Sequence, residues 1–230
     1  MIQKDLGFMN LAQKNISDNI ALAEDRGDGA LKGETKLISG HIQFELGEYS
    51  AARTEYQSSL SNYKSVNDTS GMAHAYLGLG SVGSAQGNES IAMSYYEKAE
   101  NIWPHDNPST RAELWTKMGA TYSHLGRYNQ AEKFLNKSLS FYQKNGEGSG
   151  QAEVSFNLGE LYMKMGKSFE SEAAFVDCID LGKRRNHPEV VLMGYDGVYR
   201  LKKSEGKHQQ ALIYLEKYVD FQRKIESEEL

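Results

Sequence analysis

Six glycines recur at an almost constant interval along this chain of 230 residues. Successive members of this series, the ladder glycines, lie 40, 40, 39, 40 and 40 residues apart. They are Gly7, Gly47, Gly87, Gly126, Gly166 and Gly206. A regular interval of this length over a whole chain predicts a repeat array. Because repeat arrays act through extended surfaces, we expect a binding protein rather than an enzyme with a single catalytic pocket.

Other positions keep register with the ladder glycines. Five residues after each stands a small residue: Ala12, Ala52, Ala92, Ala131, Ser171 and Ala211. Nine residues after each stands a large apolar one: Ile16, Tyr56, Tyr96, Leu135, Phe175 and Leu215. Seven residues before stand Gly40, Gly80, Gly119, Gly159 and, as the exception, Tyr199. A ladder glycine is suited to end one helix in the left-handed conformation, and the small and large positions four residues apart form one face of a second helix.

The glycines seven residues before the ladder predict close helix packing. Glycine inside a helix is less favourable than alanine by up to about 1 kcal/mol. Its presence at four of five equivalent positions therefore indicates that a neighbouring helix leaves no room for a Cβ. Each repeat is predicted to be a helical hairpin.

Two repeats carry a pattern that resembles a known family. One contains Trp115, Met118, Gly119, Tyr122, Gly126, Tyr128, Ala131 and Leu135. The next contains Asn157, Leu158, Gly159, Tyr162, Gly166 and Phe175, and Pro104 stands where the family often has a closing proline. These residues resemble the tetratricopeptide repeat, whose usual period is about 34 residues. The longer period of this chain resembles the long-repeat subclass found in bacterial signalling regulators.

The resemblance implies an all-α fold, a right-handed superhelical solenoid of antiparallel helix pairs whose first helices line the concave side. We expect one solenoid over residues 1–230, with a partial repeat (1–30) and five repeats (31–70, 71–109, 110–149, 150–189 and 190–230). Residues 208–230 are predicted to form a long C-terminal helix with Leu212, Leu215, Val219 and Phe221 on an apolar stripe. Neither end has a polar capping helix, so we expect a piece of a longer protein or ends covered by dimerisation. A homodimer through the C-terminal helix is the specific expectation.

Composition and motifs argue against several classes of protein. No apolar run approaches the roughly 20 residues that cross a bilayer, and the first residues lack the pattern of a signal peptide, so we expect no membrane partner and a cytoplasmic location. The net charge of −5 does not suit a nucleic-acid partner. Cys178 is the one cysteine and is predicted to be a buried structural thiol. No nucleophile with a base and no phosphate-binding loop is found, which predicts no enzyme activity, no catalytic residue and no cofactor.

The groove of first helices is the candidate ligand site. Positions thirteen, ten, six, three and two before each ladder glycine are expected to face inward. Together with one asparagine discussed below, the candidates are His41, Phe44, His74, Leu77, Glu113, His124, Phe156, Asn157, Glu160, Met163, Lys164, Arg200 and Lys203. This mixture of apolar and charged side chains suits an extended or helical peptide. Ordinary solvated helix faces remain the alternative for each residue, and the three histidines lack the spacing of a metal motif.

Family comparison narrows the expected binding mode. The lysine and asparagine clamp that some members use for a peptide carboxylate is not present. Long-repeat members hold the ligand backbone with asparagines placed before a leucine–glycine pair. In this chain one repeat has an asparagine at that position, Asn157. The other repeats have Ile38, Gly78, Lys117 and Gly197 there.

Two function hypotheses follow. The first is a non-catalytic scaffold that binds a protein or peptide in its groove, as the regulatory or sensory part of a larger signalling protein. The alternative is a ligand-sensing dimerisation module that relays a signal through its C-terminal helix to a cyclase, kinase or DNA-binding effector. Reading of RNA by helical repeats is disfavoured by the acidic groove.

Overall fold

The computed structural model describes residues 27–103 and 108–227. Over these ranges the chain forms ten α-helices and no strand. The helices are α1 (Gly29–Glu45), α2 (Tyr49–Ser65), α3 (Thr69–Ala85), α4 (Glu89–Ile102), α5 (Pro108–His124), α6 (Tyr128–Asn145), α7 (Gly148–Lys164), α8 (Ser168–Arg184), α9 (Pro188–Ser204) and α10 (His208–Glu226). The predicted all-α fold of paired helices is confirmed. Pro104 and residues 1–26 of the predicted partial repeat lie outside the described residues.

Each described ladder glycine ends the first helix of a pair. Gly47 has φ of 76°, and the four that follow it in the described ranges have φ of 72°. This is the left-handed region, in which glycine has no Cβ to strain. The next residue closes the helix end, since the Glu48 amide donates to the Gln43 carbonyl at 2.9 Å. The predicted role of the ladder is therefore confirmed.

A second series of left-handed residues connects the hairpins. Gly27, Asn67, Gly146 and Asn186 have φ of 62°, 56°, 69° and 54°. Asparagine is one of the few other residues that adopts this conformation readily. Soon after Gly146, residues 148–150 already form the first turn of α7.

Three of the four glycines seven residues before the ladder meet an aromatic ring of the second helix, and Gly119 meets Leu135. In α2, Tyr56 is 1% exposed and lies between Gly40 and Gly78. A Cβ on either glycine would come within 2.6 Å of the ring. Phe175 of α8 occupies the same position, and a Cβ on Gly159 or Gly197 would approach its ring to 2.5 Å. The prediction of packing too close for a Cβ is confirmed at these positions.

Contacts divide the chain into two compact units, Met1–Asn107 and Pro108–Leu230. The first unit has a core from α2 and α3, formed by Ala52, Tyr56, Leu60, Ala75, Leu79 and Val82. The second has a core from α8 and α9, formed by Phe175, Ile179, Val191, Tyr195, Val198 and Leu201. Cys178 is fully buried in the second unit, as predicted. None of the described helices is both long and apolar enough to cross a membrane.

Helix α10 presents two faces rather than one apolar stripe. Phe221 packs against the core of the second unit, which corrects its predicted place on a shared stripe. Leu212, Leu215 and Val219 are instead 53%, 38% and 36% exposed. The three residues point away from the core because they lie on a different side of the helix from Phe221.

Candidate ligand-binding groove

A cavity of about 540 Å³ opens in the second unit, and we refer to it as the acidic cavity. Its walls come from the three first helices α5, α7 and α9, together with one residue each from α6, from α8 and from the turn before α7. They are Ser109, Thr110, Glu113, Tyr142, Glu147, Gly150, Ala152, Glu153, Phe156, Cys178, Val190 and Met193. The volume lies within the range of sites that hold small molecules or several side chains.

The acidic cavity is lined by residues from the same position of three successive repeats. Glu113, Glu153 and Met193 each lie thirteen residues before a ladder glycine, and all three line the cavity. Phe156, ten residues before, joins them. Of the predicted site residues, the structure therefore brings Glu113 of α5 and Phe156 of α7 to one place.

Tyr142 lies among three carboxylates. Its side chain is 6% exposed, and this burial is the main reason that its pKa lies above the ordinary value. The charges of Glu153, Glu113 and Glu147 raise the pKa further. All three carboxylates therefore lie close enough to act on one phenol.

Glu153 differs from the other two carboxylates in the contacts of its side chain. Its side chain makes no hydrogen bond or ion pair within the part of the chain that the structure describes. Water reaches it through the cavity, but surrounding protein atoms remove part of its hydration, and this raises its pKa. Lys117 lowers the pKa and Glu113 raises it. The Lys117 ammonium itself lies 3.4 Å from Glu113.

The third carboxylate is positioned at the start of α7. The Ser109 hydroxyl donates to Glu147 at 2.9 Å. Arg185 lies near this turn, where its guanidinium donates to the Gly146 carbonyl at 3.0 Å. Three of the residues that line the cavity are acidic and, among the described residues, no lysine or arginine lines it, so its lining carries an excess of negative charge.

Other predicted residues of the groove are already engaged with the protein. The Arg200 guanidinium donates to both oxygens of Glu160, at 2.7 and 3.2 Å, and to Asp196 at 2.6 Å. These bonds join α7 to α9 and neutralise the base that was expected to be available. The Asn157 amide donates to the Glu153 carbonyl of its own helix at 3.0 Å.

The remaining predicted residues of the second unit lie near the ends of helices. Met163 packs against the core of α8 and α9. The Lys203 ammonium lies 3.4 Å from the Tyr199 hydroxyl. Lys164 and His124 are exposed at the last turns of α7 and α5.

Four predicted residues belong to the first unit. His74 lines a cavity of about 480 Å³ with Glu34 and Tyr63, and its Nδ1 lies 2.7 Å from the Ser70 carbonyl. The other three do not line it. His41 is exposed with its ring 5.4 Å from that of Tyr56, Phe44 packs against the core, and Leu77 is only 7% exposed.

Sequence reasoning missed an aromatic position at both cavities. Tyr63, Trp103 and Tyr142 each lie sixteen residues after a ladder glycine, and Gly182 takes this place in the next repeat. The Tyr142 ring lies against Gly150, where an added Cβ would overlap it. The interval was visible in the sequence, so alignment on the ladder could have found these residues.

Comparison with protein families identifies the repeats. A family model described as tetratricopeptide repeat matches residues 110–188, and a second model of the same description matches residues 73–105.

Two curated proteins are similar over much of the chain. Residue identity is 25% over 186 residues with the type II methyltransferase M.CeqI of Rhodococcus hoagii, covering 78% of this chain and 34% of that protein. It is also 25% over 180 residues with response regulator aspartate phosphatase E of Bacillus subtilis (strain 168), covering 76% of this chain and 48% of that protein. The chain thus spans between a third and a half of the curated relatives it matches.

Solved structures show a similar fold. BtubC (BKLC) from P. vanneervenii matches with a TM-score of 0.75 and 17% identity, covering 94% of this chain and 90% of that one. A Rap protein complexed with competence and sporulation factor matches with a TM-score of 0.77 and 16% identity, covering 92% of this chain and 60% of that one. At these identities the likeness concerns the fold alone.

Proposed function

We propose that this chain, which belongs to the tetratricopeptide-repeat family, is a non-catalytic scaffold that binds a protein or peptide along its first helices. The observation that carries the proposal is the acidic cavity, which draws its walls from three successive first helices. A site spread over several repeats suits an elongated ligand, because each repeat adds one strip of surface.

Among the predicted groove residues, we propose that Glu113 and Phe156 make the central contacts because both line the acidic cavity. Arg200 and Glu160 have a second role in this proposal, since their bidentate pair holds α7 against α9. His74 belongs to a separate contact in the first unit. The other predicted residues are proposed to lie along the edges of the groove.

The biological setting is proposed from likeness to regulators. One relative is a response regulator aspartate phosphatase, and one structural neighbour is a Rap protein complexed with competence and sporulation factor. These names favour a regulatory or sensory part of a larger cytoplasmic signalling protein. The likeness to a methyltransferase covers 34% of that enzyme, and we do not transfer its activity to this chain.

The alternative is a sensing module that dimerises through α10 and relays a signal to a cyclase, kinase or DNA-binding effector. The observation in its favour is the exposed apolar face of Leu212, Leu215 and Val219. Both functions are compatible, because the acidic cavity and this face use different residues.

The scaffold proposal is tested by filling the acidic cavity. Met193 lines the cavity and is 40% exposed, so Met193→Trp adds a ring there without opening the core. An arrayed library of pentapeptides is incubated with the labelled full-length chain. We expect the wild type to capture a subset of peptides and Met193→Trp to lose at least about tenfold in affinity, which corresponds to roughly 1.4 kcal/mol.

The matched control is Phe169→Trp, which introduces the same side chain at a position that is 82% exposed and outside the cavity. It should bind like the wild type. If the wild type captures no peptide, or if Met193→Trp captures the same peptides equally well, the proposal is wrong. We prefer this variant to Glu160→Lys, since loss of Glu160 would also leave Arg200 without a bidentate partner.

A further inference from the structure

We infer that the acidic cavity is a subsite for a lysine or arginine side chain of the bound peptide, followed or preceded by an apolar residue. The inference rests on the proposed peptide-binding function and adds the chemical class of the ligand. It is argued from the charge of the cavity, the nature of its walls and its volume.

The charge of the cavity favours a cation. Glu113, Glu147 and Glu153 line it, and Lys117 of α5 pairs with Glu113. The Glu147 carboxylate accepts a hydrogen bond from Ser109, which holds it in position without neutralising it. A basic side chain that enters the cavity would find carboxylates from α5, from α7 and from the turn before α7.

Glu153 has the weakest contacts of the three carboxylates. Its side chain is exposed to the cavity and makes no hydrogen bond or ion pair among the described residues, although the charge of Lys117 acts on it. A ligand ammonium or guanidinium would supply the missing charge, and hydrogen bonds between ionised groups are among the stronger ones in proteins.

The remaining walls suit the rest of a basic side chain. Tyr142 and Phe156 bring aromatic rings to the cavity, and Val190 and Met193 add apolar surface. Lysine and arginine have apolar stems that pack on such surfaces, and their charged ends bind aromatic faces. The volume of about 540 Å³ leaves room for a neighbouring apolar side chain as well.

The neighbouring part of the groove does not compete for the same group. Arg200 is held by Glu160 and Asp196, so a base already occupies that place. The acidic cavity is lined by three carboxylates and, among the described residues, by no lysine or arginine. This difference favours the acidic cavity as the place where a basic residue of the ligand would lie.

The experiment uses fluorescein-labelled pentapeptides that each contain one leucine beside a lysine, arginine, glutamine or glutamate. Binding to the full-length chain is measured by fluorescence anisotropy. We expect the lysine and arginine peptides to bind at least about tenfold more tightly than the glutamine peptides. Glu153→Gln and Glu113→Gln should each remove about tenfold of this preference, and Glu153→Lys should shift the preference to the glutamate peptide.

Glu216→Gln is the matched control, because it removes the same charge from an exposed position on α10 and should change affinity less than twofold.

Three results would overturn the inference in different ways. Capture of peptides without a preference for lysine or arginine contradicts the basic subsite and leaves the scaffold function standing. An unchanged preference in both glutamine variants places the subsite elsewhere. Binding of free spermidine by a chain that captures no peptide of the array contradicts the peptide ligand and, with it, the proposed function.

Discussion

At the scale of single residues, an aromatic ring accounts for the glycine at two of the positions nine residues before the ladder. Gly197 lies there because the Phe175 ring occupies the space of its Cβ, and Gly78 meets the ring of Tyr56 in the same way. Asn157 follows a repeat in which a leucine, Leu135, stands nine residues after the ladder glycine in place of an aromatic residue. At Gly78 and Gly197, glycine thus takes the place of the subclass asparagine because an aromatic ring needs the room.

Gly197→Ala tests this packing. The new Cβ would lie 2.5 Å from the Phe175 ring, and overpacking of this kind destabilises by about 1–3 kcal/mol. The gain in helix propensity is at most about 1 kcal/mol, so we expect a net loss of stability in chemical denaturation. Combining it with Phe175→Leu should recover part of the loss. A Gly197→Ala variant as stable as the wild type would show that the ring moves aside freely.

At the scale of helices, the ladder predicted the order and pairing of elements well. The glycine at the end of each first helix is visible as an identical residue, so the interval alone located it. The second left-handed series, which connects the hairpins, was missed because its positions are not all the same residue type: Asn67 and Asn186 alternate with glycine. Phe221 was misplaced for another reason, since periodicity identifies apolar positions but not which of them the preceding helices cover.

The candidate site was harder to predict than the helices. Register predicted Glu113 and Phe156 as site residues, and both line one cavity. It did not predict that Arg200 would be paired to Glu160, because that contact depends on the approach of α7 and α9. Nor did it indicate Tyr142, since attention was confined to first helices and this ring enters the cavity from α6.

The exposed face of α10 leads to a prediction about assembly. Leu212, Leu215 and Val219 are 53%, 38% and 36% exposed, and pairing with a second copy would remove them from water. We expect light scattering at micromolar concentration to show a dimer for the wild type and a monomer for Leu215→Glu combined with Val219→Glu. Phe169→Glu, on α8, is the control and should remain dimeric. A monomeric wild type would end the idea of a homodimer through α10.

At the scale of the whole molecule, charge should guide the ligand. The chain has a net charge of −5, so its field attracts a basic peptide before contact. Raising salt from about 0.05 to 0.5 M shortens the screening length severalfold. We expect the affinity of an arginine pentapeptide to fall by about tenfold or less, mainly through a slower association rate. The glutamine peptide serves as the control, and an equal loss for both peptides would contradict electrostatic attraction.

Three neighbouring first helices, α5, α7 and α9, form the walls of one cavity. Packed helices have axes about 8–10 Å apart, and an extended peptide advances about 3.3 Å per residue. A ligand laid across these helices would therefore meet a new helix at about every third residue. Binding would therefore depend on the position of each residue along the peptide. Moving a basic residue by one place would carry it out of reach of the carboxylates, although the composition of the peptide would stay the same.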